Sequence, residues 1–342
     1  MIRRSVRLIL WFGSLLGILL LFASLAGYGG RICRYLELFS GQRLFYLWCS
    51  ILGLGCLLAI YRLRPHAPLA WSLCLGLAGS AFVVNGIEVL PYYPPLAKVT
   101  SAESVAETHP LQLRLISFNL LGRRNTRKDE VLAFLEKENA DVIYFCEYGK
   151  RWNDYLREWF EEYPYRVRHF SFDGLIVSRY PLQNWRPMQF TQHPYGKIGA
   201  IEVSVEGTLI TVIGCHAPSY FLMGYHGYED RNALLLNGLA PLSAHTPGPL
   251  VLVGDLNADL WSPWYRDFRN RSKLKDARVG FGVNPSDWQW VEPPLQRVLG
   301  RPIDHCLVSK DVEVLDFRLS PPLGSDHLAV VVDLAIPKSP GR

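Results

Sequence analysis

In Val251-Leu252-Val253-Gly254-Asp255-Leu256-Asn257 an apolar run meets a glycine, and an Asp and an Asn then stand two apart. Positions two apart on a strand face the same way, so Asp255 and Asn257 are expected to present their side chains together. Paired oxygen-bearing groups at the end of a buried strand suit a phosphate, a water to be activated or a hard cation. A plain turn also explains the heptamer, because Gly, Asp and Asn are turn formers.

Other apolar runs end in the same manner. Asn119 follows 115–118, Glu147 follows Val142–Cys146, His216 follows 209–215, and Asp304-His305 follow Arg301-Pro302-Ile303. Ser325-Asp326-His327 precede the last run. A single acid or imidazole at a strand end is an ordinary solvated turn; six such places in one stretch point to a shared site. His305 alternates with Asp304 and so faces the other way, as a packing or surface residue. His109, His193, His226 and His245 sit in polar or proline-bearing segments and read as surface. Asp173 reads equally as a site acid or a turn, Asp259 as a loop acid, and Arg231 as a helix cation with phosphate contact as its alternative.

The elements that must position these residues begin near Leu111. Alternating or continuous apolar runs predict strands at 111–118, 141–146, 174–177, 199–205, 209–215, 303–308, 312–318 and 327–334. Helical spacing predicts helices over 126–139, 151–162 and 229–239. The segment 221–228 (FLMGYHGY) is aromatic and apolar without Lys or Arg, and reads as a loop that stacks on bases or dips into a bilayer interface.

Ahead of this lies a different kind of chain. Residues 8–28 and 44–61 carry no charge, and 69–90 carry Glu88 only near the end. Each is long enough to cross about 30 Å of hydrocarbon as a helix. Residues 1–97 are therefore expected to be a three-helix membrane anchor, with 98–110 as linker and 111–336 as the folded unit that carries the clustered polar residues. A cleaved leader is the alternative for the first segment. Arg3, Arg4, Arg7, Arg62 and Arg64 place the remainder outside the cytoplasm of an inner or plasma membrane, whereas Arg31, Arg34 and Arg43 pull the other way. Glu88 is expected at the membrane interface.

The formal charge of +5 divides unevenly. Residues 1–100 hold nine basic and two acidic groups, and the rest hold 27 and 29. That balance disfavours a domain that grips long nucleic acid by charge alone. Seven cysteines without a CxxC pair give no disulfide or zinc framework; Cys146, Cys215 and Cys306 read as buried free thiols.

The motifs SFNLL (117–121), DVIYFCE (141–147), DGLIVSRYPL (173–182), CHAP (215–218), VGDLNAD (253–259), IDH (303–305) and GSDH (324–327) occur in one order. In that order the chain resembles the endonuclease/exonuclease/phosphatase superfamily, the DNase-I-like phosphodiesterases, and within it the membrane-bound bacterial branch. The resemblance implies a four-layered α/β sandwich, two packed β-sheets flanked by helices, preceded here by the three-helix transmembrane anchor. It also implies a metal site of Glu147, Asn119 and Asp326 for magnesium, with manganese as the alternative. His327 would contact the phosphate or act as base, oriented by Asp304. Asp255 would activate water, Asn257 would donate to a phosphoryl oxygen, and His216 would stabilise developing charge or the leaving group. The implied activity is phosphodiester hydrolysis on nucleic acid. A phospholipid headgroup or small phosphodiester is the alternative substrate, and an inactive tethered interaction domain the third reading.

Overall fold

The computed structural model describes residues 2–62, 68–94, 111–168, 173–190, 197–287 and 295–338. Three long helices come first: α1 (Ile2–Ala26), α2 (Arg43–Tyr61) and α3 (Pro68–Val89). With their flanking turns they give three segments long and apolar enough to cross a membrane, Leu8–Arg31, Arg34–Tyr61 and Leu69–Tyr92. The expected linker at 98–110 lies outside the described residues.

Strands follow as β1 (Leu111–Asn119), β2 (Val142–Cys146), β3 (Tyr165–Arg168), β4 (Leu175–Ser178), β5 (Leu182–Gln189) and β6 (Lys197–Val205). The remainder are β7 (Thr208–His216), β8 (Leu250–Asp255), β9 (Lys275–Asp276), β10 (Asp304–Val308), β11 (Glu313–Leu319) and β12 (Val330–Ile336). They form two six-stranded sheets, ordered β11-β12-β1-β2-β4-β3 and β5-β6-β7-β8-β10-β9. Each sheet is mixed: β1–β2 and β7–β8 run parallel, and the other pairs are antiparallel.

Strand parity builds the layers. Leu113, Leu115, Val142, Tyr144 and Cys146 of one sheet meet Ile210, Val212, Val251, Val253, Cys306 and Val308 of the other in one buried core. Their neighbours Ile116, Phe118, Ile143 and Phe145 face outward under α4 (Lys128–Glu138) and α5 (Lys150–Tyr155). On the second sheet Ile213, Cys215, Leu250, Leu252 and Leu307 face α7 (Ala240–His245) and α8 (Pro263–Ser272), following α6 (Tyr220–Ala233). Because both faces of the central strands are covered, their sequences are continuous apolar runs rather than alternating ones. The result is the four-layered sandwich.

The helices begin and end on local signals. Ser262 caps α8 by accepting from Trp264 N–H at 3.2 Å, with Pro263 at its first position. Asp129 and Glu130 sit in the first turn of α4, and Asn139 closes it at φ 51°.

The N-terminal helices are packed onto the sandwich. Leu44, Leu47, Val89 and Tyr92 share a core with Trp261, Tyr265 and Phe268. Glu88 pairs with Arg266 at 2.8 Å and accepts from Tyr28 Oη at 2.7 Å. The arginines of the first loop are engaged in the same dock. Arg31 pairs with Asp267, Arg43 is buried over the Tyr28 ring at 4.1 Å, and Arg34 lies 5.2 Å from the Tyr225 ring centre.

The segment read as the loop 221–228 is the first half of α6, kinked at Gly224 (φ 61°). Its two glycines and its aromatic composition hide the helix from a periodicity reading.

Candidate active site

Strand parity also assembles the site. Asn119 follows the inward-facing Leu113 and Leu115, His216 follows Ile210 and Val212, Asp255 follows Val251 and Val253, and Asp304 leads into Cys306 and Val308. All four therefore point between the sheets, at the ends where the core runs out. Register then aligns them: Asp304 pairs across from Asp255, and Asp255 from His216.

Two imidazole–carboxylate pairs flank Asp255. His327 Nδ1 donates to Asp304 Oδ2 at 2.7 Å, and its Nε2 lies 3.7 Å from Asp255 Oδ2. His216 Nδ1 lies 3.1 Å from both carboxylate oxygens of Asp173, and its Nε2 lies 3.8 Å from Asp255 Oδ2. Each ring is thus oriented through Nδ1 and turns Nε2 toward one carboxylate.

The charges follow from this arrangement. Burial opposes protonation of His216, but Asp173 and then Asp255 outweigh it and hold its pKa at about 9. Burial likewise opposes the His327 cation, and Asp304 and Asp255 carry its pKa well above the usual imidazole value. Burial raises the Asp255 carboxyl to about 6, helped by Asp304 and countered by the two histidines. Asp304 stays ionised below the usual range, because His327 overcomes its burial.

On the opposite sheet Asn119 Nδ2 donates to Glu147 Oε1 at 3.1 Å and to Asp255 Oδ2 at 3.2 Å, while its Oδ1 accepts from Leu121 N–H. Glu147 and Asn257 hold left-handed backbones, φ 51° and 47°, in a region sparsely used by residues other than Gly. Such strain persists where the surroundings impose it, and it gathers at working sites.

Asn257 departs from the expected geometry. The strand ends at Asp255, so strand alternation no longer operates at Asn257. Instead its N–H donates to Asp255 Oδ1 at 2.9 Å, and its Nδ2 donates to Ala217 O at 2.9 Å. Both residues still face the same cleft.

That cleft has a volume of about 190 Å³ and is bordered by Glu147, His216, Asp255, Asn257, Asp326 and His327. Asn119 and Asp304 reach it through Asp255 and His327, so all eight expected residues gather there. Asp173 joins them through His216. Arg124, Asp287 and Arg301 also border the cleft, Asp287 and Arg301 as an ion pair. Sequence reasoning missed these three, because isolated charges in turns carry no spacing signal. Leu222 and Met223 form an apolar part of the rim, with Leu222 78% exposed.

Arg231 and Asp259 do not border the cleft. Arg231, read alternatively as a phosphate contact, is buried and directs Nη2 to Glu37 and Nη1 to Asn257 O. Asp259 lies in the loop after β8, as expected, and is buried there as an acceptor for Ser40 Oγ at 2.7 Å. His305 packs beneath the outer helices, stacked on Tyr265 with ring centres 4.3 Å apart. Its pKa is driven down to about 3 by burial and by Arg278. His226 and His245 are exposed, whereas His109 and His193 lie outside the described residues.

Glu147, Asp326 and the Asn119 amide supply oxygen donors alone, which suits a hard divalent cation. Burial raises the Asp326 carboxyl; His327 counters, and Glu147 adds to the rise. A cation would relieve that crowding of acids. Asn119 would offer its oxygen only after its amide turned over, since the nitrogen now faces the carboxylates. The ligand atoms of Asp255, Asp304 and His327 also lie within 4.8 Å of one another. There His327 Nδ1 is already engaged by Asp304, so this set is a hydrogen-bonded relay rather than an open cage.

The model of the endonuclease/exonuclease/phosphatase family matches residues 116–327. The chain belongs to that family. Solved structures have a similar fold at low identity. Sphingomyelinase C from Streptomyces griseocarneus is 18% identical with a TM-score of 0.50, over 65% of this chain and 99% of that one. An endonuclease/exonuclease/phosphatase from Bacteroides vulgatus gives 18% and 0.53, over 66% and 99%. A Staphylococcus aureus beta toxin mutant with bound magnesium ions gives 17% and 0.50, over 65% and 99%. No curated protein matches the chain in sequence.

Proposed function

We propose that this protein is a membrane-anchored, divalent-metal-dependent phosphodiesterase that hydrolyses its substrate by in-line attack of an activated water. The observation that carries the reading is Asp255, a buried carboxylate faced by the Nε2 atoms of two carboxylate-oriented histidines at 3.7 and 3.8 Å. Phosphoryl transfer needs positioning and charge stabilisation more than covalent chemistry, and this arrangement offers both. Asp255 accepts the proton of the attacking water. His327, held protonated by Asp304, grips a phosphoryl oxygen. Asn257 has a second Nδ2 hydrogen for another oxygen, the first being engaged by Ala217 O. His216, protonated beside Asp173, stabilises or protonates the leaving oxygen. Glu147, Asp326 and Asn119 would hold magnesium or manganese, which neutralises phosphate charge as a Lewis acid. The magnesium-bearing beta toxin fold supports that choice.

Family membership favours a nuclease-like phosphodiester substrate. A second reading, a phospholipid headgroup, is favoured by the apolar rim at Leu222 and Met223 and by the near-neutral charge of residues 101–342. The test is the full chain in detergent with magnesium, manganese or a chelator. Plasmid DNA, single-stranded RNA, sphingomyelin vesicles and an aryl phosphodiester are the substrates. Metal-dependent hydrolysis of at least one is expected, and its absence on all four would overturn the reading.

The three apolar helices serve as the bilayer anchor, with the catalytic unit outside the cytoplasm. Arg3, Arg4, Arg7, Arg62 and Arg64 support that orientation. The opposing arginines carry less weight as solvated flanks, because Arg31 and Arg34 pack against Asp267 and Tyr225 of the sandwich and Arg43 is buried over Tyr28 within the anchor. A reporter fused after Arg342 should be active only outside the cytoplasm; activity only inside would reverse the orientation.

A further inference from the structure

The segment that carries Asn257 away from the site is held from its far side by the anchor. Arg231 Nη1 donates to Asn257 O at 2.9 Å, and Arg231 Nη2 donates to both Glu37 oxygens at 2.8 and 2.9 Å. Glu37 ends a short helical turn (Arg34–Glu37) in the connection between α1 and α2, and it also accepts from Ser262 Oγ at 2.6 Å. Next to this bridge, Asp259 accepts from Ser40 Oγ, and Trp261 Nε1 donates to Glu88 O at 3.1 Å. The anchor thus touches the segment at Asp259, Trp261 and Ser262, and reaches Asn257 through Arg231.

Glu37 and Arg231 are 3% and 2% exposed. Taking such a pair out of water is costly, and the cost is met only by close geometry with every remaining donor engaged. Here Nε of Arg231 also has a partner, Asn232 Oδ1 at 3.0 Å. The fork of the guanidinium spans two acceptors, one on the anchor and one on the backbone of a site residue, which a point charge cannot do. Asn257 needs such support, because its left-handed backbone is unfavourable for a side-chain-bearing residue. Its N–H in turn fixes Asp255 Oδ1. Glu37, Arg231, Asn257 and Asp255 therefore form one chain of contacts from the membrane loop to the carboxylate at the centre of the cleft.

We propose that Glu37 and Arg231 are positioning residues, through which the anchor's first loop completes the active site. On this basis the sandwich reaches full activity only when docked on its own anchor, so that hydrolysis is confined to the membrane-held chain. The inference rests on the phosphodiesterase reading for its catalytic consequence, but the structural link is measurable apart from it.

The experiment compares Glu37→Gln, Arg231→Lys and Arg31→Ala in the full chain in bilayer discs. Arg31 belongs to the same dock through Asp267 but has no link to Asn257. Amide hydrogen exchange at residues 255–258, kcat and KM on the aryl phosphodiester, and melting temperature are read for each. Glu37→Gln should raise exchange at 255–258 and lower kcat by about 10- to 100-fold, the penalty of slight misplacement, with KM within about twofold. Arg231→Lys keeps the charge opposite Glu37 but loses the fork, and should give the same pattern if Glu37→Gln fails to fold. Arg31→Ala should leave exchange at 255–258 and kcat at wild-type levels. Unchanged exchange in both bridge variants overturns the proposal whatever the activity. An equal fall in kcat for Arg31→Ala also overturns it, since general loosening of the dock would then be the cause. A wild-type chain inactive on every substrate would instead defeat the phosphodiesterase reading, and exchange would still decide the link.

Discussion

Replacing Asp173 with Asn separates the charge of the His216 pair from its shape. In the folded chain the buried His216 ring keeps a pKa of about 9 against 6.5 for a free imidazole, since Asp173 outweighs burial. A folded-state pKa raised above the unfolded one contributes stability that is complete below pH 6.5 and disappears as pH rises through 9. At about 1.4 kcal/mol per pKa unit, the shift is worth about 3 kcal/mol below the window. Asp173 itself is held below the usual carboxylate range, as His216 overcomes its burial, so the pair is also lost in acid. The amide of Asn still accepts from Nδ1 but no longer offsets the cation. Asp173→Asn should therefore lower the melting temperature at pH 6 by about 6–12 °C, at the usual 2–4 °C per kcal/mol. The difference should close to within a few degrees at pH 9.5. In the hydrolysis assay kcat at neutral pH should fall by about 10²-fold, because the imidazolium is no longer maintained. An equal loss of stability at pH 6 and 9.5 would refute the reasoning and make Asp173 a packing residue.

Asp304→Asn removes the anion that orients His327 and should cut kcat by about 10²–10⁴-fold; retention of wild-type kcat would remove Asp304 from the mechanism. Its melting temperature at pH 6 should also fall, for the same reason as in Asp173→Asn, since against burial Asp304 raises the His327 pKa. Gly254→Ala is expected to cost at least about 4 kcal/mol or to prevent folding. At φ 137° its new Cβ would stand 1.9 Å from Cys215 O, a backbone atom in the paired strand. Gly207→Ala, with nothing within 4 Å but φ 82°, should cost only about 1 kcal/mol; equal melting temperatures for the two variants would refute the close-approach argument. Leu222→Asp at the apolar rim should raise KM for sphingomyelin vesicles about tenfold, the worth of part of a leucine side chain, without moving KM for the aryl phosphodiester. Equal shifts for both substrates would count against the lipid-headgroup reading.

Much of the site is legible because chemistry-bearing residues interrupt apolar runs at their ends. Asn119, Glu147, His216, Asp255 and Asp304 each follow or open a run that parity buries on both faces. What escaped the sequence lacks such contrast. β5, with Trp185 and Pro187 on an exposed edge, alternates with no buried face. β3 is equally exposed, and β9 has only two residues. Asn257 was placed by strand alternation, but the chain leaves the strand one residue after Gly254 and turns left-handed. The bridge between Glu37 and Arg231 joins positions 194 residues apart and leaves no local pattern. Arg31, Arg34 and Arg43 oppose the proposed orientation in the sequence, and their packing with Asp267, Tyr225 and Tyr28 was not legible there.

The central claim, a hard-cation phosphodiesterase site at the end of the two sheets, is tested most directly by the magnesium dependence of hydrolysis in Glu147→Gln beside His327→Ala. Removing the Glu147 charge weakens the hold on the cation without touching the proton-handling groups. Activity of Glu147→Gln should therefore be low at ordinary magnesium and recover in part as magnesium is raised, by mass action. His327→Ala should lose about 10²–10⁴-fold and remain there at every magnesium concentration. Rescue of His327→Ala by magnesium with none for Glu147→Gln, or full activity of either variant in chelator, would contradict the account.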